Sequence, residues 1–142
     1  MISNLRYELS FKNISQLANK LNFCRENNIR NINIPCKGVI KKTLFNSTID
    51  YISKNFQEFN VTYHYSLYHQ YSNNLKKSYK NFLDFLNNSY ANRNYEILLV
   101  SGSNKKKNFD TIDVLNNLKE KNLKVKLGVA YNPYLKKYYK VS

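Results

Sequence analysis

The sequence is poor in the residues that build several common kinds of site. Its 142 residues include only two cysteines and three glycines. Cys24 and Cys36 have neither metal-site spacing nor the number that a disulfide framework needs, so we expect a reducing, cytoplasmic setting. No apolar run approaches the roughly 20 residues of a membrane span, and the first residues lack a signal-peptide core. We therefore expect no membrane partner.

Acidic residues are also few, which leaves the chain strongly basic. Nine Asp and Glu stand against 23 Lys and Arg, for a net charge of +14. Lys is spread over the whole chain rather than gathered in one block. The chain is rich in Asn, Lys, Tyr and Ile and poor in Ala, Gly and Pro, which is typical of an AT-rich genome. This composition favours the interpretation that most of the positive charge arose from codon bias and lies on solvent-exposed faces without a function. The alternative is a module that binds nucleic acid or another polyanion. Its stacking and charge patch would be Lys136, Lys137, Tyr138, Tyr139 and Lys140.

What the sequence does contain is a regular alternation of strand and helix patterns. Period-two alternation or short apolar runs predict five strands, over Arg6–Phe11, Asn31–Cys36, about Asn60–Tyr68, Ile97–Val100 and Leu123–Tyr131. Apolar residues at three- and four-residue steps predict four helices, which follow Asn13 as N-cap, span about Thr43–Phe56 and Asn74–Tyr90, and follow Asp110 as N-cap. This alternation predicts one α/β domain with a parallel sheet.

The polar side of the strands selects between two parallel architectures. A doubly wound sheet has helices on both faces, so its central strands are apolar on both sides. Here only strand four is apolar on both sides, whereas the other four strands have one polar side. The polar set is Arg6, Glu8, Ser10, Asn31, Asn33, Thr62, His64, Ser66, Lys124 and Lys126. This pattern favours an incomplete (β/α)8 barrel over an open, flavodoxin-like sheet.

A complete barrel of this type has about 250 residues, so five strands leave the ring open. We therefore expect a truncated domain, either the N-terminal part of an interrupted gene or a half-barrel. A half-barrel would need a second copy or a complementing half to cover its edges.

Five segments follow one another along the chain: YELSF, NINIPCKG, TYHYSLYH, LLVSGS and KLGVAYNP. In order and spacing they resemble the first five strands of the methylenetetrahydrofolate reductase family, and most closely its uncharacterised reductase-like branch. The resemblance covers the chain from Arg6 to Tyr134. It implies a (β/α)8 barrel that binds FAD at the carboxyl ends of its strands and passes hydride from NADH or NADPH through the flavin to a folate-like substrate.

The resemblance also implies roles for individual residues. The strand-one carboxylate that donates a proton to the folate corresponds to Glu8, and the strand-three histidine that contacts the flavin corresponds to His64. An Arg-Gly-Asp in strand four of the family is replaced by Ser101, Gly102 and Ser103, so the glycine is kept and both charges are lost. Strands six to eight, which complete the flavin site, have no counterpart, so an inactive remnant of the reductase is an alternative to an active one.

The predicted site therefore consists of Glu8 as the catalytic residue and a set of cofactor-binding residues. That set is His64, Ser66, Ser101, Gly102, Ser103, Tyr131 and Asn132, and no metal is expected. Glu8 is a general acid if burial raises its pKa, or otherwise an ion-pair partner of Arg6, Lys124 or Lys126. The small-residue turn lets backbone N–H groups approach a phosphate, although it is not a P-loop or dinucleotide motif.

Overall fold

The computed structural model describes residues 5–35, 42–66, 75–87, 95–100, 111–118 and 126–130. Strands and helices alternate along these residues. The elements are β1 (Tyr7–Glu8), α1 (Ile14–Glu26), β2 (Asn31–Ile34), α2 (Lys42–Asn55), β3 (Asn60–Ser66), α3 (Leu75–Asn87), β4 (Tyr95–Val100), α4 (Thr111–Leu118) and β5 (Lys126–Val129).

The five strands form one parallel sheet in the order β1-β2-β3-β4-β5. This confirms the predicted α/β class with five parallel strands and four helices. A doubly wound sheet reverses its strand order at a switch point, whereas the order here follows the chain without a break. Sequential right-handed crossovers bring successive helices to the same side of a sheet. The topology is that expected of a barrel segment.

Helix α1 shows how local sequence fixes the ends of an element. Asn13 is its N-cap, as predicted, and its side chain accepts a 2.9 Å hydrogen bond from the backbone N–H of Gln16. The Gln16 side chain in turn accepts from the backbone N–H of Lys12, so two donors at the helix start are satisfied. At the other end Asn28 adopts φ 57°, and Ile29 N–H donates to the carbonyl of Cys24. This pattern is a Schellman motif, in which Asn tolerates the left-handed conformation.

The core lies between the helices and one face of the sheet. Leu17, Leu21 and Cys24 of α1 are fully buried, as their helical spacing predicts. The predicted stripe of α2 is buried as well: Phe45, Ile49, Ile52 and, just beyond the helix, Phe56. The sheet contributes alternate residues, namely Ile32, Ile34, Val61, Tyr63, Tyr65, Tyr95, Ile97 and Leu99.

Aromatic rings fill the centre of this core. The Phe45 ring lies 5.9 Å from the ring of Tyr63 and 5.8 Å from that of Phe85, measured between centroids. Tyr65 contacts Phe82 and Phe85 at centroid separations of 4.8 and 4.9 Å. Such tilted and edge-on contacts add to the free energy of burial. The large aromatic content therefore stabilises the layer between α2, α3 and β3.

Three element predictions need correction. Strand β1 is two residues long, Tyr7–Glu8, although the alternation extends from Arg6 to Phe11. Strand β4 begins at Tyr95, two residues before the predicted start, so it includes Glu96 and is not apolar on both sides. For α4 the spacing predicts a buried stripe of Ile112, Leu115 and Leu118; Leu118 is buried and Leu115 is half-buried, but Val114, outside that stripe, is buried as well. Asp110, the predicted cap, lies outside the described residues.

Candidate functional site

Polar side chains occupy the sheet face opposite the helices, which we call the polar face. The strand register places Glu8, Asn33, Thr62, Glu96 and Lys126 in a single row that crosses all five strands. Residues two positions apart on a strand share a face. The sheet therefore has a continuous polar row with a carboxylate at one edge, an ammonium group at the other and a second carboxylate between them.

Arg6, Thr62, Glu96 and Lys126 form a connected network on the polar face. The Arg6 guanidinium donates a 2.8 Å hydrogen bond to the Thr62 hydroxyl and lies 3.5 Å from Glu96 Oε2. The Thr62 hydroxyl donates to the same oxygen at 3.3 Å. Lys126 Nζ lies 3.2 Å from the other carboxylate oxygen, Oε1. One carboxylate thus joins β1, β3, β4 and β5.

The reach of Arg6 indicates the curvature of the sheet. Arg6 immediately precedes β1, and Glu96 lies on β4, three strand spacings away. On a flat sheet three spacings amount to about 14 Å, before the offset along the strands is added. A direct contact between the two side chains is favoured when the sheet curls toward them, as the sheet of a barrel does. We infer that the polar face is concave.

Electrostatics within the network hold Glu96 in its charged form. The hydrogen bond from Lys126 is the largest cause, and the charge of Lys126, the Thr62 hydroxyl and the Arg6 charge act in the same direction. Together they lower the pKa of Glu96 although partial burial opposes them. The Glu96 side chain keeps 37% of its surface exposed, so water screens these interactions. The described polar face therefore carries two cations, Arg6 and Lys126, and two carboxylates, Glu96 and Glu8, so its charges balance.

Among the described residues, Glu8 does not form the ion pair that the sequence suggested. Arg6 and Lys126, two of its predicted partners, contact Glu96 instead, and the third, Lys124, lies outside the described residues. Glu8 is exposed and lines a groove of about 330 Å³ between β1 and α1. The desolvation that a general acid needs is therefore not supplied by the described residues. A ligand or a second subunit would have to cover Glu8.

His64 and Ser66 lie on the same face as Glu8, toward the carboxyl ends of the strands. His64 is half-buried, with its Nε2 atom out of contact with solvent. It is paired in register with Leu98, and Ser66 with Val100. Ser66 is 1% exposed. The structure thus brings Glu8, His64 and Ser66 to one face, although they come from the first and third strands.

Asn33 is a polar-face residue that the sequence analysis did not place in the site. It lies between Glu8 and Thr62 in the polar row and is half-buried. Its Oδ1 atom is buried and accepts no hydrogen bond from the part of the chain that the structure describes. A buried acceptor of this kind costs free energy until a donor reaches it. Asn33 is therefore a candidate ligand contact.

Glu96 was missed for a different reason. The prediction of strand four started from the apolar core Ile97–Val100, which leaves Glu96 outside the strand. Alternation of Tyr95, Ile97 and Leu99 as buried residues would have placed Glu96 on the opposite face. The sequence therefore contains the information needed: a period-two pattern applied to the whole segment Tyr95–Val100 places Glu96 on the polar face.

Five predicted site residues cannot be located, because they lie outside the described residues. They are Ser101, Gly102, Ser103, Tyr131 and Asn132. The same holds for Cys36 and the basic C-terminal segment. Within the described ranges, no group of three or more His, Cys, Asp or Glu side chains could hold a metal ion. None of the described helices is both long and apolar enough to span a bilayer.

Comparison of the chain with family models, curated proteins and solved structures finds no match.

Proposed function

We propose that the chain is a flavin-binding relative of the methylenetetrahydrofolate reductase family and that its polar face forms the ring-binding surface. The observation that carries the proposal is the placement of Glu8, Asn33 and His64 on one face of a sequential parallel sheet. The ordered resemblance from Arg6 to Tyr134 supports it. We include a cytoplasmic location in this proposal, on the cysteine usage of the sequence.

The described polar residues fit the ring portion of a flavin. An isoalloxazine ring has an N–H donor flanked by two carbonyl acceptors, and the buried Asn33 Oδ1 lacks a donor among the described residues. Arg6, at the start of β1, and His64, on β3, would supply donors for carbonyl oxygens. When bound, the flavin would supply the hydride chemistry between NADH or NADPH and a folate-like substrate. Phosphate binding remains a prediction for Ser101, Gly102 and Ser103.

Glu8 would face the substrate in this arrangement, because it lies at the β1 edge of the polar face rather than at its centre. Its exposed carboxylate would accept hydrogen bonds from the amino and ring N–H groups of a folate-like molecule. Proton donation by Glu8 would further require that the bound substrate exclude water. An inactive remnant would keep the binding function without that step.

A flavin titration with a matched pair of variants tests the proposal. Asn33→Leu removes the buried acceptor, and Asn22→Leu makes the same chemical change at an exposed position on α1. We expect the unaltered chain to bind FAD or flavin mononucleotide with a change in flavin fluorescence. Asn33→Leu should weaken binding about tenfold, equivalent to about 1.4 kcal/mol, and Asn22→Leu should leave it unchanged. Absence of binding at high micromolar flavin, in a chain that is folded by circular dichroism, would contradict the proposal.

Polyanion binding is the second candidate, because Lys76, Lys77 and Lys80 on α3 are exposed. These residues lie within five positions of a helix on the far side of the sheet from the flavin site proposed above. Counterion release predicts that the affinity for single-stranded nucleic acid falls steeply with salt. The double substitution Lys76→Gln/Lys80→Gln should reduce the slope of log affinity against log salt concentration by about one to two units. Retention on heparin equal to that of a charge-scrambled control would argue against this function.

A further inference from the structure

We propose that two copies of the chain associate edge to edge, with β1 of each copy beside β5 of the other, and close a ten-stranded parallel ring. Both strands are edges of the described sheet, since the strand order ends at β1 and β5. Unpaired parallel edges leave backbone N–H and C=O groups without partners. The inference concerns assembly and does not depend on flavin binding.

The first support is the direction of the backbone groups at the two edges. Leu9 N–H donates to the carbonyl of Asn33, so the backbone groups of Leu9 point inward and those of Glu8 point outward. Ala130 N–H donates to the carbonyl of Leu99, so Ala130, Gly128 and Lys126 point inward. Leu127 and Val129 consequently point outward from β5. In a parallel pair, the outward N–H and C=O groups of Glu8 on β1 can therefore bond to outward groups on a second β5, among them those of Leu127.

The second support is the match of exposed apolar side chains on the helix side of the sheet. At the β1 edge Tyr7 is 48% exposed and Phe23 of α1 is 53% exposed, and both line the groove of about 330 Å³. At the β5 edge Val129 is 38% exposed and lies on the same side of the sheet as Tyr7. Exposed side chains of this size usually mark an interaction surface when they are grouped. The proposed contact would place Leu127 or Val129 of each copy, depending on the strand register, beside Leu9 in the groove of the other.

The third support is charge complementarity on the polar face. Two registers keep the polar faces aligned, with Glu8 opposite either the partner's Lys126 or the partner's Gly128. Opposite charges on neighbouring strands favour the first register, in which the polar row of one copy continues into that of the other. Lys126 has 81% of its side chain exposed although it contacts Glu96, so it can also reach a second carboxylate. Glu8 is exposed at the facing edge.

Symmetry explains why a second copy, rather than an unrelated protein, is the occupant we propose. The contact joins two different edges of the same chain, so it is heterologous and either closes into a ring or continues as a filament. The concave sheet inferred from the contact between Arg6 and Glu96 bends toward its polar face, which favours closure by two copies. In the closed ring no edge remains open. Glu8 would then form an ion pair with the partner's Lys126, which favours a binding role for Glu8 over proton donation.

Sedimentation of the full chain tests the assembly. We expect a particle of twice the 16.9 kDa chain mass in the absence of flavin. Val129→Asp should return the mass to that of one chain, because it brings a charge into the apolar contact. Gln57→Asp, at an exposed position outside both edges, should leave the mass doubled. A folded chain that sediments as a monomer would overturn the proposal, whether or not it binds flavin.

A disulfide experiment tests the register independently of the mass. In a Cys36→Ser background, Glu8→Cys/Lys126→Cys should give covalent dimers on oxidation, while either single variant should not. Within one chain these positions lie four strand spacings apart, about 19 Å on a flat sheet, well beyond the roughly 7 Å that a disulfide spans between Cα atoms. A ladder of covalent polymers would show an open filament and overturn the closed ring. Absence of covalent dimers, with the double variant folded and sedimenting as a monomer, would overturn the contact itself.

Discussion

The two faces of the sheet are stabilised by different kinds of interaction, and β3 shows both. Tyr63 and Tyr65 point into the aromatic core and are almost fully buried, whereas Thr62 and His64 alternate with them on the polar face and are half-buried. On the helix side of β3 burial is almost complete, and packing there depends on the shapes of the side chains. Contacts on the polar face are charged and partly screened by water. The difference teaches that packing on the helix side determines the free energy of unfolding. Substitutions on the polar face should change that free energy little, so residues there can serve binding.

The most severe test of this comparison is truncation at the centre of the core. Phe45 is fully buried and contacts rings on both β3 and α3. Phe45→Ala should lower the free energy of unfolding by about 3–5 kcal/mol, since it leaves a cavity among rings that cannot collapse freely. Lys54→Ala, at an exposed position of the same helix, is the matched control and should cost less than about 1 kcal/mol. Urea denaturation followed by circular dichroism measures both, and similar losses would contradict the comparison.

A smaller effect is expected at Cys24, on the helix side. Its thiol is fully buried, and desolvation raises its pKa, so the native protein should leave Cys24 unlabelled by a thiol reagent that reacts at once in denaturant. Cys24→Ser should lower the free energy of unfolding by about 1–3 kcal/mol, because it buries a hydroxyl group where no hydrogen-bond partner is assured. Cys24→Ala serves as a control for the loss of volume alone. Rapid labelling of Cys24 in the folded chain would show that α1 opens readily.

The smallest effect should come from the charged network of the polar face. Glu96→Gln should lower the free energy of unfolding by about 1 kcal/mol or less at neutral pH. Because the pKa of Glu96 is lower in the folded state, its contribution is present above the unfolded value of about 4.3 and is lost as pH falls through the folded value. The variant should therefore lose less stability than the unaltered chain on acidification below about pH 4.3.

Glu58 is the control for this pH dependence. The hydrogen bond from Arg25 is the largest cause that lowers its pKa, and the two side chains lie 2.5 Å apart, remote from the polar face. Like Glu96→Gln, Glu58→Gln should reduce the loss of unfolding free energy that the chain shows at acidic pH. The two effects should add, because the residues share no partner. If the effects of the two substitutions on the free energy of unfolding were strongly non-additive, protonation of Glu58 and protonation of Glu96 would be coupled.

Much of the fold could be predicted because it depends on local patterns. The cap at Asn13, the buried stripe from Leu17 to Cys24 and the alternation of β3 are each encoded within a few residues. The burial of Val114 in α4 could not be predicted from periodicity, because an eight-residue helix contains only two turns of pattern. Helix α3 similarly buries Phe85, which lies outside the stripe that the spacing predicts, namely Leu75, Tyr79, Phe82, Leu83 and Leu86.

The candidate site was harder to predict, because it depends on register between strands that are far apart in the chain. That Glu8 shares a face with His64 follows from alternation within each strand. That Arg6 reaches Glu96 rather than Glu8 depends on sheet curvature and on the pairing of four strands, neither of which a period-two pattern contains. The acceptor of Asn33 was recognisable only when its lack of a donor among the described residues was known.

The contact between Lys20 and Ser10 has a consequence for how the protein behaves at high concentration. Lys20 Nζ donates to the backbone carbonyl of Ser10, directly beyond the short strand β1. A basic side chain folded over a strand end occupies an acceptor that a growing fibril would otherwise use. We expect this lysine to limit strand addition at the β1 edge to the residues before Ser10.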